Sequence, residues 1–284
     1  MRLLDEIDSL VDVYDGFLFD AYGVLFDGTG LIKGAARAWD RLKAIGKPVM
    51  ILTNGSSRTL QEAEASYRSL GLDVKQDEIL NSASLLKPYF QQHSLIGAKT
   101  AVLGTEGSKS YATDAGASLV CPTKELDFQV LVLANQTDYP LLETLDAVLS
   151  SVVRSYRQAR HLHLLLTNPD LIYPSGPNNF GHTAGALALM LEASWSVPLA
   201  AKSPSFVVLG KPSRTLFDHA ADRLGTRKLL MIGDQLRTDI LGANAAGMDS
   251  LLVGTGLTSC RSAEAKDYSP VPTYLLPQWK EALC

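Results

Sequence analysis

Residues 16–25 read GFLFDAYGVL, and this stretch decides the fold class. A short run without polar alternation is typical of a strand buried on both faces, and Asp20 follows where that strand ends. Residues 48–52, 228–232 and 250–253 repeat the pattern. Each run leads into a small or polar cluster, so polar side chains are expected to meet at one edge of a parallel sheet.

Amphipathic helical patterns lie between these strands. Phe217, Ala220, Ala221 and Leu224, for example, recur at the i, i+3, i+4 and i+7 spacing of a helix with one buried face. Alternation of strands and helices predicts an α/β protein with right-handed crossovers. We therefore expect a doubly wound parallel sheet, a Rossmann-like core.

The middle of the chain has strand and helix patterns of its own, enough for a second α/β domain. Strand-end clusters lie on both sides of it, so it is predicted to be an insertion. The predicted core comprises residues 1–84 and 205–284, with a core strand at 205–209. The predicted inserted domain comprises residues 85–204.

Composition and charge exclude several classes of function. Of the 284 residues 46% are hydrophobic, and 26 basic against 30 acidic residues give a net charge of −4, which argues against a nucleic-acid partner. Glu192 interrupts the apolar run 186–201, so no membrane span is expected. The N-terminal residues lack a signal-peptide pattern, and three distant cysteines are typical of reduced thiols. A cytoplasmic protein is expected.

Four of the strand-end side chains have the chemistry that phosphoryl transfer through a carboxylate requires. Asp20 can act as nucleophile and metal ligand, and Asp234 can supply a second hard oxygen ligand to Mg²⁺. Lys211 can neutralise the charge between Asp20 and a phosphate. Thr53 can donate its hydroxyl to a phosphoryl oxygen.

These stretches resemble motifs I to IV of the haloacid dehalogenase superfamily. They are FDAYGVL at 19–25, LTN at 52–54, GKPS at 210–213 and GDQLRTD at 233–239. The closer resemblance is to the class IIA branch, which includes the N-acetylglucosamine-operon phosphatase and 4-nitrophenylphosphatase-like proteins. An α/β cap is inserted between motifs II and III in that branch, and LTNPD at 166–170 matches its cap.

The resemblance implies a Mg²⁺-dependent phosphatase that acts through an aspartyl-phosphate on Asp20. Sugar phosphates and nucleotide monophosphates are the implied substrates. The implied metal ligands are Asp20, the backbone carbonyl of Tyr22, Asp234 and Asp239. Asp239 could instead form an ion pair with Lys211. The expected partner is a small phosphorylated metabolite. A homodimer, in which a second copy of the chain binds, is also possible from the resemblance.

Substrate contacts are expected from the turn after the second core strand and from loops of the inserted domain. The predicted substrate-binding residues are Thr53, Asn54, Gly55, Lys211, Asn168, Asp170 and His182.

Tyr22 departs from the pattern of the family's phosphatases, which carry a second aspartate at this position as general acid and then base. A phenol with a pKa near 10 can donate a proton but is a poor base at neutral pH, and losing such a group costs about 10²–10⁴-fold in rate. The motif also resembles that of the 2-haloacid dehalogenases. Carbon–halogen hydrolysis and a weakly active phosphate-ligand-binding protein are therefore the alternatives, although the Asp234/Asp239 pair favours phosphate chemistry.

Overall fold

The computed structural model describes residues 1–123, 127–176, 179–258 and 270–280, and the chain divides into two compact units. Unit 1 comprises Met1–Thr53, Leu60–Leu80 and Lys211–Cys284. Unit 2 comprises Asn54–Thr59 and Asn81–Gly210.

The elements are numbered in chain order. The strands are β1 (Arg2–Leu3), β2 (Gly16–Phe19), β3 (Phe26–Asp27), β4 (Gly30–Leu31), β5 (Val49–Thr53), β6 (Ile79–Asn81), β7 (Lys99–Leu103), β8 (Ser118–Val120), β9 (Val130–Leu133), β10 (His163–Leu166), β11 (Ile172–Gly176), β12 (Asn179–His182), β13 (Val207–Val208), β14 (Leu229–Gly233), β15 (Asp249–Val253) and β16 (Tyr274–Leu276). The α-helices are α1 (Lys33–Ala44), α2 (Leu60–Ser69), α3 (Leu86–Gln92), α4 (Glu106–Asp114), α5 (Leu141–Arg157), α6 (Ala184–Leu199), α7 (Arg214–Leu224) and α8 (Leu241–Ala246).

The main sheet of unit 1 has the strand order β1-β16-β15-β14-β2-β5-β6. β2 pairs in parallel with β5 on one side and β14 on the other, so that Phe19 lies opposite both Ile51 and Ile232. The chain runs outward from β2 to β6 and, later, outward from β14 to β16. Strand order therefore reverses between β2 and β14, and ligands bind at such a reversal in open α/β sheets. The predicted doubly wound, Rossmann-like α/β fold is confirmed.

The central strands are apolar because both faces of the sheet are covered. Phe17 and Phe19 are fully buried, and the Phe19 ring meets the Trp39 ring of α1 edge to face, with 5.5 Å between the centroids. The Trp39 indole also donates to the backbone carbonyl of Asp73 at 3.0 Å. Burial of one such aromatic side chain contributes about 1.5–3 kcal/mol, so this layer holds the strand that ends at Asp20 in place.

Unit 2 has its own parallel sheet, with the strand order β13-β10-β9-β7-β8. Helices α5 and α6 contribute Val152, Leu187 and Trp195 to its apolar core. β11 and β12 form a separate antiparallel hairpin. Unit 2 is thus a second α/β unit with its own sheet and its own apolar core.

One strand lies in a different sheet from the one predicted. Residues 205–209 were expected in the core sheet, but β13 pairs in parallel with β10, with Val208 opposite Leu166. An apolar run fits any parallel sheet, so its composition does not identify its partner strand. The unit boundaries also differ from the predicted ones, since residues 54–59, 81–84 and 205–210 belong to unit 2.

Helix α6 and the turn after it, Ala184–Lys202, are long and apolar enough to cross a membrane by length and composition alone. No other helix of the described residues meets that criterion. The core helix of a water-soluble domain meets it as well, and α6 places Leu187, Leu191 and Trp195 in the core of unit 2.

Candidate active site

A buried lysine joins two carboxylates where the strand order reverses. The ammonium nitrogen Nζ of Lys211 lies 2.7 Å from Oδ1 of Asp20 and 2.6 Å from Oδ1 of Asp239. Lys211 is only 2% exposed. A buried charge is costly unless it is paired and hydrogen-bonded, so the two carboxylates stabilise this ammonium group and fix its position.

Asp239 also organises the loop after β14. Its second oxygen, Oδ2, accepts hydrogen bonds from the backbone N–H groups of Asp234 at 3.0 Å and Gln235 at 3.1 Å. A π-helical turn, Leu236–Ile240, carries Asp239 back under this loop, and such turns are frequent at functional sites. Gly233 permits the approach, because a Cβ atom there would lie 2.2 Å from Cβ of Asp239.

Asp234 has one engaged and one unengaged carboxylate oxygen. Oδ2 accepts a hydrogen bond from the Leu257 N–H at 2.7 Å, whereas the buried Oδ1 has no hydrogen-bond partner among the residues that the structure describes. Burial, and then the nearby charges of Asp239 and Asp20, raise the pKa of Asp234 well above its ordinary value. A buried acceptor without a donor is the arrangement expected of a ligand to a cation.

Two glycines close around this carboxylate. A Cβ atom at Gly256 would lie 1.9 Å from Oδ2 of Asp234, and one at Gly23 would lie 2.5 Å from its Cγ. Gly23 also has a φ of +89°, in the region that favours glycine. The Thr255 hydroxyl donates to the Gly23 carbonyl at 2.7 Å, which ties the two loops together.

The three carboxylates together fit a divalent cation. Asp20, Asp234 and Asp239 can each offer one oxygen such that these atoms lie within 4.8 Å of one another, and all three residues are buried. Two of them, Asp20 and Asp239, are ion-paired with Lys211. Clustered carboxylate oxygens of this kind suit Mg²⁺, a hard cation that prefers oxygen ligands.

Thr53 and Tyr22 lie at the same edge of the sheet in different environments. Thr53 is the buried last residue of β5, the strand beside β2. Tyr22 is 49% exposed, and its ring is tilted against that of Phe26 with 6.2 Å between the centroids. The side chain at the predicted acid/base position is therefore largely in contact with solvent.

Unit 2 brings three of the predicted substrate-binding residues together. The Asn54 amide donates to Oδ1 of Asp170 at 3.0 Å, and the side-chain oxygen of Asn168 accepts from the Asp170 N–H at 3.2 Å. Asn54 is buried, and Gly210 lies against it, since a Cβ atom there would be 2.5 Å from its Oδ1. Asn54, Asn168 and Asp170 therefore form a hydrogen-bonded polar cluster.

The other two predicted substrate-binding residues of unit 2 are exposed. Gly55 follows Asn54 directly, and His182 is the last residue of β12. Thr183 links the end of β12 to the cluster, because its hydroxyl donates to the Asp170 carbonyl, which also accepts from the Gly185 N–H at 3.1 Å. His182 is therefore next to the cluster only because it precedes Thr183 in the chain.

Sequence reasoning missed the residues that shape the Asp234 site from the loop after β15. Gly254, Thr255 and Gly256 form one of the small or polar clusters that follow the apolar runs, but neither they nor Leu257 were predicted to contact Asp234. The signal available was their position, because they follow a core strand at the same edge as Asp20. Their contacts use backbone N–H groups and close approach, which residue type does not reveal.

Comparison with known proteins identifies the family. The family models for a haloacid dehalogenase-like hydrolase and a HAD-hydrolase-like protein match residues 17–118 and 208–282. An acid sugar phosphatase from Staphylococcus aureus (strain MRSA252) is 30% identical over 273 residues, covering 95% of this chain and 97% of that protein. The chain belongs to the haloacid dehalogenase-like hydrolase family.

Solved structures agree with this assignment. A possible sugar phosphatase of the HAD superfamily from Cytophaga hutchinsonii is 30% identical, with a TM-score of 0.86 and full coverage of both chains. A glycerol phosphate phosphatase from Mycobacterium tuberculosis, in complex with magnesium, has the same fold, with a TM-score of 0.81 at 23% identity, covering 95% of this chain and 76% of that one. The predicted membership of the haloacid dehalogenase superfamily is confirmed. NagD from E. coli, at 22% identity with a TM-score of 0.76, has the same fold.

Proposed function

We propose that this protein is a Mg²⁺-dependent phosphatase of small phosphorylated metabolites, with Asp20 as its nucleophile. One observation carries the proposal. Lys211 bridges Asp20 and Asp239 beside a buried oxygen of Asp234 that has no hydrogen-bond partner among the described residues. This arrangement combines a nucleophile, a fixed cation and a metal ligand.

Asp20 attacks the phosphorus atom, and the bond from phosphorus to the leaving oxygen breaks. A water molecule then attacks phosphorus in the aspartyl-phosphate, which releases phosphate and restores Asp20. Lys211 offsets the repulsion between Asp20 and the phosphate, which for two unit charges at 4 Å is about 4 kcal/mol at an effective dielectric constant of 20. Thr53, buried at the end of β5, donates its hydroxyl to a phosphoryl oxygen.

Asp20, the Tyr22 carbonyl and Asp234 are the residues that would hold Mg²⁺. When bound, the ion neutralises charge on the phosphate oxygens as a Lewis acid. Asp239 was expected as a ligand or as a Lys211 partner. Since both its oxygens accept hydrogen bonds, from Lys211 and from two backbone N–H groups, we assign it the positioning role.

Residues of unit 2 would select the leaving group, as a cap does in class IIA. Asn54 follows Thr53 directly in the chain and is hydrogen-bonded to Asp170, which supports a role for Asn54, Asn168 and Asp170 in substrate binding. Gly55 and His182 remain weaker predictions because both are exposed. A cytoplasmic location without nucleic-acid or membrane partners stays a prediction from composition and charge.

Sugar phosphates are the favoured substrate class. Two relatives at 30% identity are an acid sugar phosphatase and a possible sugar phosphatase, and each aligns along almost the whole chain, including the inserted domain. Nucleotide monophosphates remain on the list of substrates to be tested.

Tyr22 favours a second candidate, a weakly active protein that binds a phosphorylated ligand. A half-exposed tyrosine replaces the acid/base group, so proton transfer to the leaving oxygen lacks a carboxylate at this position. The dehalogenase alternative is less well supported, because only the small β3–β4 hairpin separates β2 from α1 and leaves no room for a helical cap there.

A panel of phosphate esters tests the proposal. Sugar phosphates, nucleotide monophosphates, 4-nitrophenyl phosphate and one 2-haloacid are assayed with Mg²⁺ and with EDTA, for the wild type and Asp20→Asn. We expect phosphate release that needs both Mg²⁺ and Asp20. Halide release that EDTA leaves unchanged would favour the dehalogenase, and tight binding of sugar phosphates without turnover would favour the binding protein.

A further inference from the structure

Helix α5 carries a stripe of charge that reverses sign about its midpoint. Glu143 and Asp146 lie seven and four residues before Ser150, and Arg154 and Arg157 lie four and seven residues after it. All five are exposed. At 3.6 residues per turn they fall within an arc of about 80° on one face of the helix. Two copies of the stripe in antiparallel orientation are therefore complementary in charge.

We propose that a second copy of this chain docks on this face, with the two α5 helices antiparallel and crossing at Ser150. This pairing sets Glu143 opposite Arg157 of the second copy and Asp146 opposite Arg154 of the second copy. The twofold axis then repeats both pairs, as an isologous interface requires. Serine at the crossing point is small enough to let the two helices approach closely.

An apolar groove beside the stripe supplies surface to bury. It lies between α5 and α6 and has a volume of about 700 Å³. Its apolar lining comes from Leu149, Val153, Val197 and Pro198, and the stripe residues Ser150, Arg154 and Arg157 line it as well. Val197 is 85% exposed. Interfaces combine an apolar centre with a polar rim, and the charged ends of the stripe provide that rim.

The charged groups of the stripe remain available to a partner, although Arg154, after the Arg160 hydrogen bond, also lowers the pKa of Asp127. Among the described residues, no ion pair involves Glu143, Asp146, Arg154 or Arg157. Asp146 and Arg154, the nearest acidic and basic residues of the stripe, are eight residues apart, or about 12 Å along the axis, so the opposite charges do not pair along α5. The helix dipole also favours acidic residues in the first turn and basic ones in the last, but it does not account for an exposed apolar groove beside them.

Two charge-reversed variants test the proposal in the full chain. The basic variant is Glu143→Arg/Asp146→Arg, and the acidic variant is Arg154→Glu/Arg157→Glu. We expect the wild type to sediment as a dimer and each variant to dimerise about 100-fold more weakly, because like charges would face each other at four places. An equimolar mixture should recover the wild-type affinity as a heterodimer, since every facing pair is then opposite in charge.

Lys87→Glu/Lys228→Glu is the matched control, because it reverses two exposed lysines away from α5 and should leave dimerisation unchanged. Ser150→Trp provides a second disruption at the crossing point without altering charge. Circular dichroism checks that every variant folds. A monomeric wild type, variants that dimerise like the wild type, or a mixture that stays monomeric would each overturn the proposal.

Discussion

Nζ of Lys211 lies 2.7 Å from Oδ1 of Asp20, although 191 positions separate the two residues in the chain. Asp20 ends a central strand, and Lys211 follows Gly210 at the point where the chain re-enters unit 1. The contact therefore joins the first and the last of the three segments of unit 1. The proposed nucleophile has its cation only when these two segments are packed together.

Replacement of this lysine tests its role. Lys211→Met should lower kcat at least about 100-fold, because Asp20 would meet the phosphate without the intervening positive charge. It should also lower the free energy of unfolding by about 3–5 kcal/mol, since two buried carboxylates lose their cation. Steady-state kinetics and thermal denaturation measure the two effects. Exposed Lys228→Met serves as control, and equal kinetics in the two variants would contradict the assignment.

The two glycines at Asp234 give a second prediction. Gly256→Ala places a Cβ atom 1.9 Å from Oδ2 of Asp234, so the carboxylate must move. We expect the Mg²⁺ concentration for half-maximal activity to rise at least about tenfold, a loss typical of displaced metal-site geometry. Gly28→Ala is the matched control, because a Cβ atom there meets nothing within 4 Å. Unchanged Mg²⁺ dependence in Gly256→Ala would argue that Asp234 does not bind the ion.

The acid/base position is tested by restoring the carboxylate. Tyr22→Asp should raise kcat by about 10²–10⁴-fold on substrates with poor leaving groups, because proton transfer to the leaving oxygen would regain a carboxyl group. Tyr22→Phe is the control and should leave kcat nearly unchanged if the phenol takes no part. A large loss of activity in Tyr22→Phe would instead show that the tyrosine hydroxyl transfers the proton.

The histidines of unit 2 predict a pH dependence of stability. Burial, and then the charges of His161 and His93, lower the pKa of His163, whose Nδ1 lies 3.1 Å from the Tyr89 hydroxyl oxygen. The unfolded chain takes up a proton near the ordinary pKa of about 6.5, before the folded state does. The contribution of His163 is therefore complete above that pH and is lost as the pH falls towards the lowered value.

Thermal denaturation between pH 8 and pH 5 checks this sign, with pH values of about this range chosen to bracket the ordinary histidine pKa. The drop in Tm should be smaller in His163→Gln than in the wild type. Exposed His182→Gln is the control and should keep the wild-type drop. An undiminished drop in His163→Gln would show that other groups cause the acid sensitivity.

The positions of Asp20, Thr53 and Asp234 were predictable because each lies at the carboxyl end of an apolar core strand. Strand ends of a parallel sheet meet at one edge, so local pattern was enough to place these side chains near one another. The same pattern did not identify the sheet that contains β13, because strand partners depend on the packing of the whole chain. The contacts of Leu257 and Gly256 with Asp234 come from loop backbone, which leaves no periodic signal in the sequence.

Asp239 shows how geometry narrows a role that residue type leaves open. Its spacing from Asp234 suited either a metal ligand or a partner of Lys211. The π-helical turn brings one carboxylate oxygen of Asp239 to Lys211 and the other to two backbone N–H groups. The sequence does not predict a π-helical turn, so these contacts could not be inferred from it.

The central claim is that Asp20 becomes phosphorylated during turnover, and chemical trapping tests it most directly. The enzyme is mixed with Mg²⁺ and a sugar phosphate, quenched in acid, and treated with borohydride, which reduces an aspartyl-phosphate to homoserine. Peptide mass spectrometry then locates the product. If Asp20 is the nucleophile, homoserine is expected at position 20 in the wild type and at no position in Asp20→Asn. Phosphate release without modification at position 20, or with modification of another carboxylate, would contradict it.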